Sequence, residues 1–112
     1  KLQMTEDQLQ QRCFTYYNNK YCLKSHNPKH KIFAVPNGGS RNIIEAKKMR
    51  ATGTTPGVSD LIILEPNKTI FIEMKTEKGA QSDVQKQFEI DVRNLGFEYL
   101  IIRNYEEFTS RF

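Results

Sequence analysis

Three charged residues, Asp60, Glu73 and Lys75, stand among the apolar runs on either side of a polar turn in the stretch from Pro56 to Lys75. β-Branched and apolar residues on either side predict two strands, Val58 to Leu64 and Thr69 to Lys75, joined by a Glu65-Pro66-Asn67-Lys68 turn. A turn centred between Pro66 and Asn67 sets Asp60 directly opposite Glu73, and opposed residues bring their Cβ atoms to about 4.5–5.5 Å. Lys75, two residues beyond Glu73, falls on the same face. Like charges set directly opposite one another destabilise a sheet. Two arrangements account for such a pair. One is a divalent cation held by carboxylate oxygens. The other is an ion pair in which Lys75 neutralises one acid on a solvated face. Apolar residues occupy both faces, with Ile62, Leu64 and Phe71 beside the acids and Leu61, Ile63, Ile70, Ile72 and Met74 opposite. A hairpin covered on both sides belongs to an α/β arrangement, where a bare charge is costly. That favours the cation.

The same residues carry a resemblance. Pro56-Gly57-Val58-Ser59-Asp60, then Ile72-Glu73-Met74-Lys75-Thr76, then Gly79 and a helix bearing Gln85 resemble the VRR-NUC domain. This is the virus-type replication-repair nuclease branch of the PD-(D/E)xK superfamily. The match runs from about Gly53 to Arg103 and more loosely over Thr5 to Asn18. Ser59 stands where the family often has proline. The resemblance implies a restriction-endonuclease-like α/β core and metal-dependent hydrolysis of phosphodiester bonds in DNA. Asp60, Glu73 and the Met74 backbone carbonyl would hold Mg²⁺ or Mn²⁺. Lys75 would orient the attacking water or stabilise charge on the phosphate, and Gln85 would reach into the site. The family's glutamate near the start of the first helix matches Glu6 by position, with Glu45 as the other candidate for an additional acid. Stand-alone members look like Holliday-junction resolvases acting as small homodimers. A flap or single-strand nuclease and a non-catalytic DNA-binding module are the alternatives.

These residues need elements to position them. Thr5 to Cys22 reads as a helix, with Thr5 as N-cap and Gln8 completing a capping box. Glu6 also suits the helix dipole in that first turn, and Gln10 lies one turn on along the same face. A polar loop from Leu23 to Lys31 follows, in which Pro28 separates His26 from His30 and removes the helical spacing of a zinc pair. Ile32 to Pro36 is a short strand. Asn37-Gly38-Gly39-Ser40 is a turn, and Ser40 or Asn42 caps a helix to Ala51 that Gly53 stops. In that helix, pairing with Lys47 or Lys48 accounts for Glu45 as a surface residue. After the hairpin, Ser82 caps a helix to Leu95 with Val84, Phe88, Val92 and Leu95 as its apolar stripe, stopped at Gly96. Phe97 to Arg103 is the last strand and Asn104 to Ser110 a terminal helix anchored by Phe108. The order α-β-α-β-β-α-β-α predicts a mixed sheet between helices. The second hairpin strand and the last strand run parallel across a right-handed crossover.

The 112 residues form one domain, 1–112, with one modest core. Composition is ordinary for a globular chain, 38% hydrophobic and 27% charged. No apolar run approaches the ~20 residues of a membrane span, and no phosphate-binding glycine motif suggests a nucleotide cofactor. Neither motif nor leader marks secretion, so an intracellular, cytoplasmic setting is expected. Cys13 and Cys22 fall in the first helix on opposite faces and read as unbridged thiols. Net charge is +4, and the basic excess gathers between Lys20 and Arg50. Lys24, Lys29, Lys31, Arg41, Lys47 and Lys48 are the candidates for a DNA backbone. Tyr16, Tyr17, Tyr21, Tyr99, Tyr105 and Phe108 exceed what one small core requires, and the surplus is expected at a homodimer interface.

Overall fold

The computed structural model describes residues 3–36 and 42–112. Its elements follow the expected order: α1 (Glu6–Tyr21), β1 (Lys31–Ala34), α2 (Ile43–Ala51), β2 (Leu61–Glu65), β3 (Lys68–Met74), α3 (Asp83–Asn94), β4 (Glu98–Ile102) and α4 (Tyr105–Arg111). The strands form one sheet in the order β1-β2-β3-β4. The first two pairings are antiparallel and β3 runs parallel to β4. Asn67 takes a φ of 58° after Pro66, so the two turn residues supply the conformations a tight β2–β3 connection needs. That turn fixes the register Leu61↔Ile72 and Ile62↔Phe71. Continued by one residue, the register sets Asp60 against Glu73.

Both hairpin strands are shorter at the charged end than their composition predicts. β2 begins at Leu61 rather than Val58, and β3 ends at Met74, one residue before Lys75. Gly57, at a φ of +81°, turns the chain just before β2. The Asp60 carbonyl still accepts from the Val35 N–H at 3.0 Å, which extends the β1 pairing to the edge of the site. Asp60 and Lys75 therefore sit where strand gives way to loop.

One face of the sheet carries Leu61, Ile63, Ile70, Ile72 and Met74, all fully buried against Leu9, Cys13 and Tyr17 of α1 and Phe108 of α4. Each such side chain contributes roughly 1.5–3 kcal/mol relative to exposure. The other face is covered by α3. There Phe71 makes edge contacts with Phe88 and Phe97, while Phe88 also meets Tyr99. The α3 stripe is narrower than its spacing predicts: Val92 is buried, but Val84 and Leu95 are exposed.

The aromatic surplus is absorbed within one chain. Tyr17, Tyr99 and Phe108 are fully buried, and Tyr16, Tyr21 and Tyr105 pack against the core. Edge contacts of Tyr16 with Tyr105 and Phe108 tie α1 to α4. These rings complete the monomer's core and carry no argument for an interface. The exposed apolar surface lies elsewhere. α2 packs against no other helix or strand among the described residues. Its Ile43 and Ile44 are 74% and 79% exposed. Asn42 caps it, accepting from the N–H groups of Ile44 and Glu45. The expected turn over residues 37–40 and Arg41 lie outside the described residues.

Both cysteines are free and buried, and burial pushes the Cys13 thiol up to about 12. Each histidine serves its loop. The Leu23 N–H donates to His26 Nδ1 at 2.9 Å, and His30 stacks on Tyr21 with Nδ1 2.9 Å from the Tyr17 hydroxyl.

Candidate active site

The open end of β2 and the end of β3 meet the N-termini of α1 and α3. Capping boxes start both helices, Thr5 with Gln8 and Ser82 with Gln85. The second box has a further consequence. Gln85 Oε1 accepts from the Ser82 N–H at 2.9 Å, which leaves Nε2 free to donate to Glu73 Oε2 at 3.0 Å. One amide thus caps α3 and grips a carboxylate of β3. Gly57 makes this approach possible, because a Cβ there would lie 2.3 Å from the Val84 carbonyl oxygen. Only glycine lets the Pro56-Gly57 segment press against the first turn of α3.

Asp60 Oδ2 accepts from the Met74 N–H at 2.7 Å. Glu73 is 1% exposed, and Lys75 Nζ lies 3.8 Å from its Oε2. Its other oxygen, Oε1, is buried with no hydrogen-bond partner. Burial pushes the Glu73 carboxyl up to about 8, with the Asp60 charge adding to the rise and the Lys75 charge opposing it. Asp60 is also raised, by burial first, against the lowering effect of the Met74 N–H. Burial and the Asp60 charge together favour the protonated form of Glu73 at neutral pH. Lys75 thus pairs with Glu73, but on a buried rather than a solvated face, and burial with the Asp60 charge outweighs its effect on the carboxyl. An orphaned Glu73 oxygen facing a second acid fits a divalent cation, which would give Oε1 a partner and favour the charged form of both carboxyls.

Searches with the profiles of known protein families and against curated protein sequences return no match. The solved structures do. A structure described as a VRR_NUC domain protein superposes with a TM-score of 0.76, over 99% of this chain and 87% of that chain, at 18% sequence identity. The chain has the fold of a VRR-NUC domain. Its mixed four-stranded sheet between helices is the architecture the charged hairpin implied.

Within this VRR-NUC fold, two acids of α1 bear on the pair through their charge. The charge of Glu6 acts on Glu73 and that of Asp7 on Asp60, each raising the carboxyl it faces. Both sit exposed in the first turn of α1. No third His, Cys, Asp or Glu among the described residues joins the pair as a ready-made ligand cluster. Glu6 shapes the field of the site in this arrangement without closing on it. Asp7 escaped the sequence argument, although its neighbour Glu6 did not. Its only signal is a place in a capped first turn, which any acid there would share. Glu45 is exposed on the detached α2 and forms no ion pair with Lys47 or Lys48 among the described residues. Gln10 is half-buried on α1. Lys24, Lys29, Lys31, Lys47 and Lys48 are all exposed, spread over the α1–β1 loop, β1 and α2. No described helix is long and apolar enough to cross a membrane.

Proposed function

We propose that the chain, as a single nuclease domain, hydrolyses phosphodiester bonds in DNA with Mg²⁺ or Mn²⁺, and that it selects branched substrates such as Holliday junctions as a homodimer. The observation that carries this reading is the buried Glu73, with one unpartnered oxygen, set opposite the half-buried Asp60. Asp60, Glu73 and the Met74 carbonyl are the groups that would hold the ion. A bound Mg²⁺ or Mn²⁺ polarises the scissile phosphate and lowers the pKa of an attacking water. Gln85 keeps Glu73 oriented through the 3.0 Å hydrogen bond to Oε2. That leaves Oε1, the free oxygen, as the ligand atom. The Met74 N–H occupies Asp60 Oδ2, which orients the second carboxylate in the same way. Lys75, 8% exposed beside Glu73, places an ammonium where negative charge develops on the phosphate or where the water must be aligned. Glu6, and Asp7 beside it, add negative potential that strengthens cation binding.

The exposed lysines at 24, 29, 31, 47 and 48 supply charge for a sugar–phosphate backbone, with Arg41 as the sixth candidate. Cutting a junction needs two symmetry-related strand breaks, and a two-fold dimer supplies two such centres. The exposed Ile43 and Ile44 of α2, rather than the tyrosines, are among the most exposed apolar residues that such a dimer has available.

The test is cleavage of a four-way junction, a flap, a nicked duplex and a single strand, each with Mg²⁺ and with Mn²⁺, alongside sedimentation at micromolar concentration. Paired cuts in the junction by a dimeric species are expected, and Asp60→Asn is expected to be inactive. Preferential cutting of the flap or single strand would replace the junction reading by the flap-nuclease alternative. DNA binding with neither cleavage nor Mn²⁺ uptake would leave a non-catalytic module.

A further inference from the structure

The segment 76–79 follows Lys75 directly and is polar, with Glu77 and Lys78 exposed. A single guanidinium nitrogen organises it. Arg103 Nη1 donates to the carbonyls of Thr76 at 2.9 Å, Gly79 at 2.6 Å and Glu77 at 3.4 Å. The next residue adds a second tie, Asn104 Nδ2 donating to Glu77 Oε1 at 3.1 Å. Arg103 is itself anchored, because its N–H donates to Glu107 Oε1 at 2.7 Å. On the other side of the segment, the Lys75 N–H donates to the Ile102 carbonyl at 3.0 Å. The end of β4 thus holds both the lysine's backbone and the segment after it.

That segment walls in the lysine side chain. A Cβ on Gly79 would stand 3.5 Å from Lys75 Cδ and 3.0 Å from Thr76 Oγ1, so the Gly79 backbone lies alongside the Lys75 stem. A lysine stem has four rotatable bonds and gives up considerable rotamer freedom when fixed. Lys75 is nonetheless buried, with Nζ 3.8 Å from Glu73 Oε2. We propose that Arg103 is a positioning residue of this centre, which fixes the 76–79 segment and through Gly79 confines the Lys75 ammonium beside Glu73. The proposal rests on the nuclease reading only for its kinetic consequence.

Two measurements test it. The first needs no catalysis. Acetylation of the folded protein, read by mass spectrometry residue by residue, is expected to modify Lys75 slowly in the parent. In Arg103→Gln the reaction is expected to be several-fold faster at Lys75, with Cys13 as protected from thiol reagents as before. Unchanged Lys75 reactivity would overturn the proposal. Equal loss of protection at Lys75 and Cys13 would also overturn it, because Arg103 would then hold the fold rather than the lysine. The second is a double-mutant cycle on cleavage. Arg103→Gln is expected to lower kcat by about tenfold to a hundredfold at unchanged KM and Mn²⁺ affinity, the scale of a small misplacement of a reacting group. In a Lys75→Ala background it is expected to cost nothing further. Arg103→Lys, whose point charge lacks the guanidinium's forked donors, is expected to recover only part of the loss. An equal factor in both backgrounds would mean that Arg103 acts on the reaction by another route. If the parent protein cuts no DNA, the nuclease reading fails while the acetylation result still decides this one.

Discussion

Glu73→Gln separates a functional acid from a structural one by its effect on stability. A neutral amide stands in for the protonated Glu73: its oxygen can still accept from Gln85 Nε2, and it puts no second charge beside Asp60. The parent carboxyl is pushed from 4.5 to about 8. A carboxyl raised in the fold gives stability that is complete below its unfolded value and is lost as pH climbs through the folded one. Unfolding at pH 7 releases a proton that the fold retains, across the 2.5 units between 4.5 and 7. At about 1.4 kcal/mol per unit, that costs the metal-free parent roughly 3 kcal/mol. The variant escapes this cost. For a domain of this size, the difference is about 10 °C in Tm. The assay is thermal melting in a chelator at about pH 4.5, 6, 7 and 8. The two proteins are expected to melt together near pH 4.5 and to separate steadily as pH rises, with Glu73→Gln the more stable. Mn²⁺ at a hundred times its Kd should narrow that gap at pH 8, since a ligand at that concentration adds about 2.7 kcal/mol to whichever protein binds it. Parallel melting curves across the pH range would refute the claim that Glu73 is buried with its proton. A variant stabilised by Mn²⁺ as strongly as the parent would refute its role as a ligand.

Lys75→Ala is expected to lose cleavage by about a hundredfold or more while binding Mn²⁺ as the parent does, checked by calorimetry; lost metal binding would show that the ammonium organises the carboxylates instead. Gly57→Ala introduces a Cβ 2.3 Å from the Val84 carbonyl oxygen at a φ of +81°. A loss of more than about 1 kcal/mol in urea unfolding is expected, with weakened cleavage as Gln85 moves off Glu73; an unaffected protein would show that the approach segment does not set α3. Replacing Lys47 and Lys48 by glutamine is expected to lower the slope of log affinity against log salt by about 0.9 for each phosphate that the two lysines neutralise. An unchanged slope would remove α2 from the DNA surface.

The sequence was informative where local rules and tertiary structure agree. Thr5, Ser82 and Asn42 cap as their types predict, and Gly53 and Gly96 end helices at φ values of 110° and 90°. The hairpin register followed from the Pro-Asn turn alone, and with it the opposition of Asp60 and Glu73. Strand ends were misjudged because composition does not record where pairing stops: Val58 is β-branched, yet the turn at Gly57 leaves it outside the ladder. The tyrosines misled for a different reason. Counting aromatics against an average core ignores how α1 and α4 close on one another, and here Tyr16, Tyr17 and Phe108 fill that seam.

What the site adds concerns distance along the chain. Asp60, Glu73 and Lys75 are close in sequence and fixed by one hairpin, so periodicity could find them. Gln85 and Arg103 act through side-chain hydrogen bonds from elements that reach the site from elsewhere, and no spacing rule encodes such a contact. Gln85 was visible only through the resemblance, and its cap to Ser82 gave a sufficient local reason for it. Arg103 had no signal, since a basic residue after a strand is ordinary. Both use the geometry of a planar side chain, an amide in one case and a guanidinium in the other, to connect a backbone group to the hairpin's charged end. Glu73 is held from α3 and the lysine from the end of β4. The two supports are separate. A variant at Gln85 should therefore disturb metal binding first, and a variant at Arg103 the chemistry first.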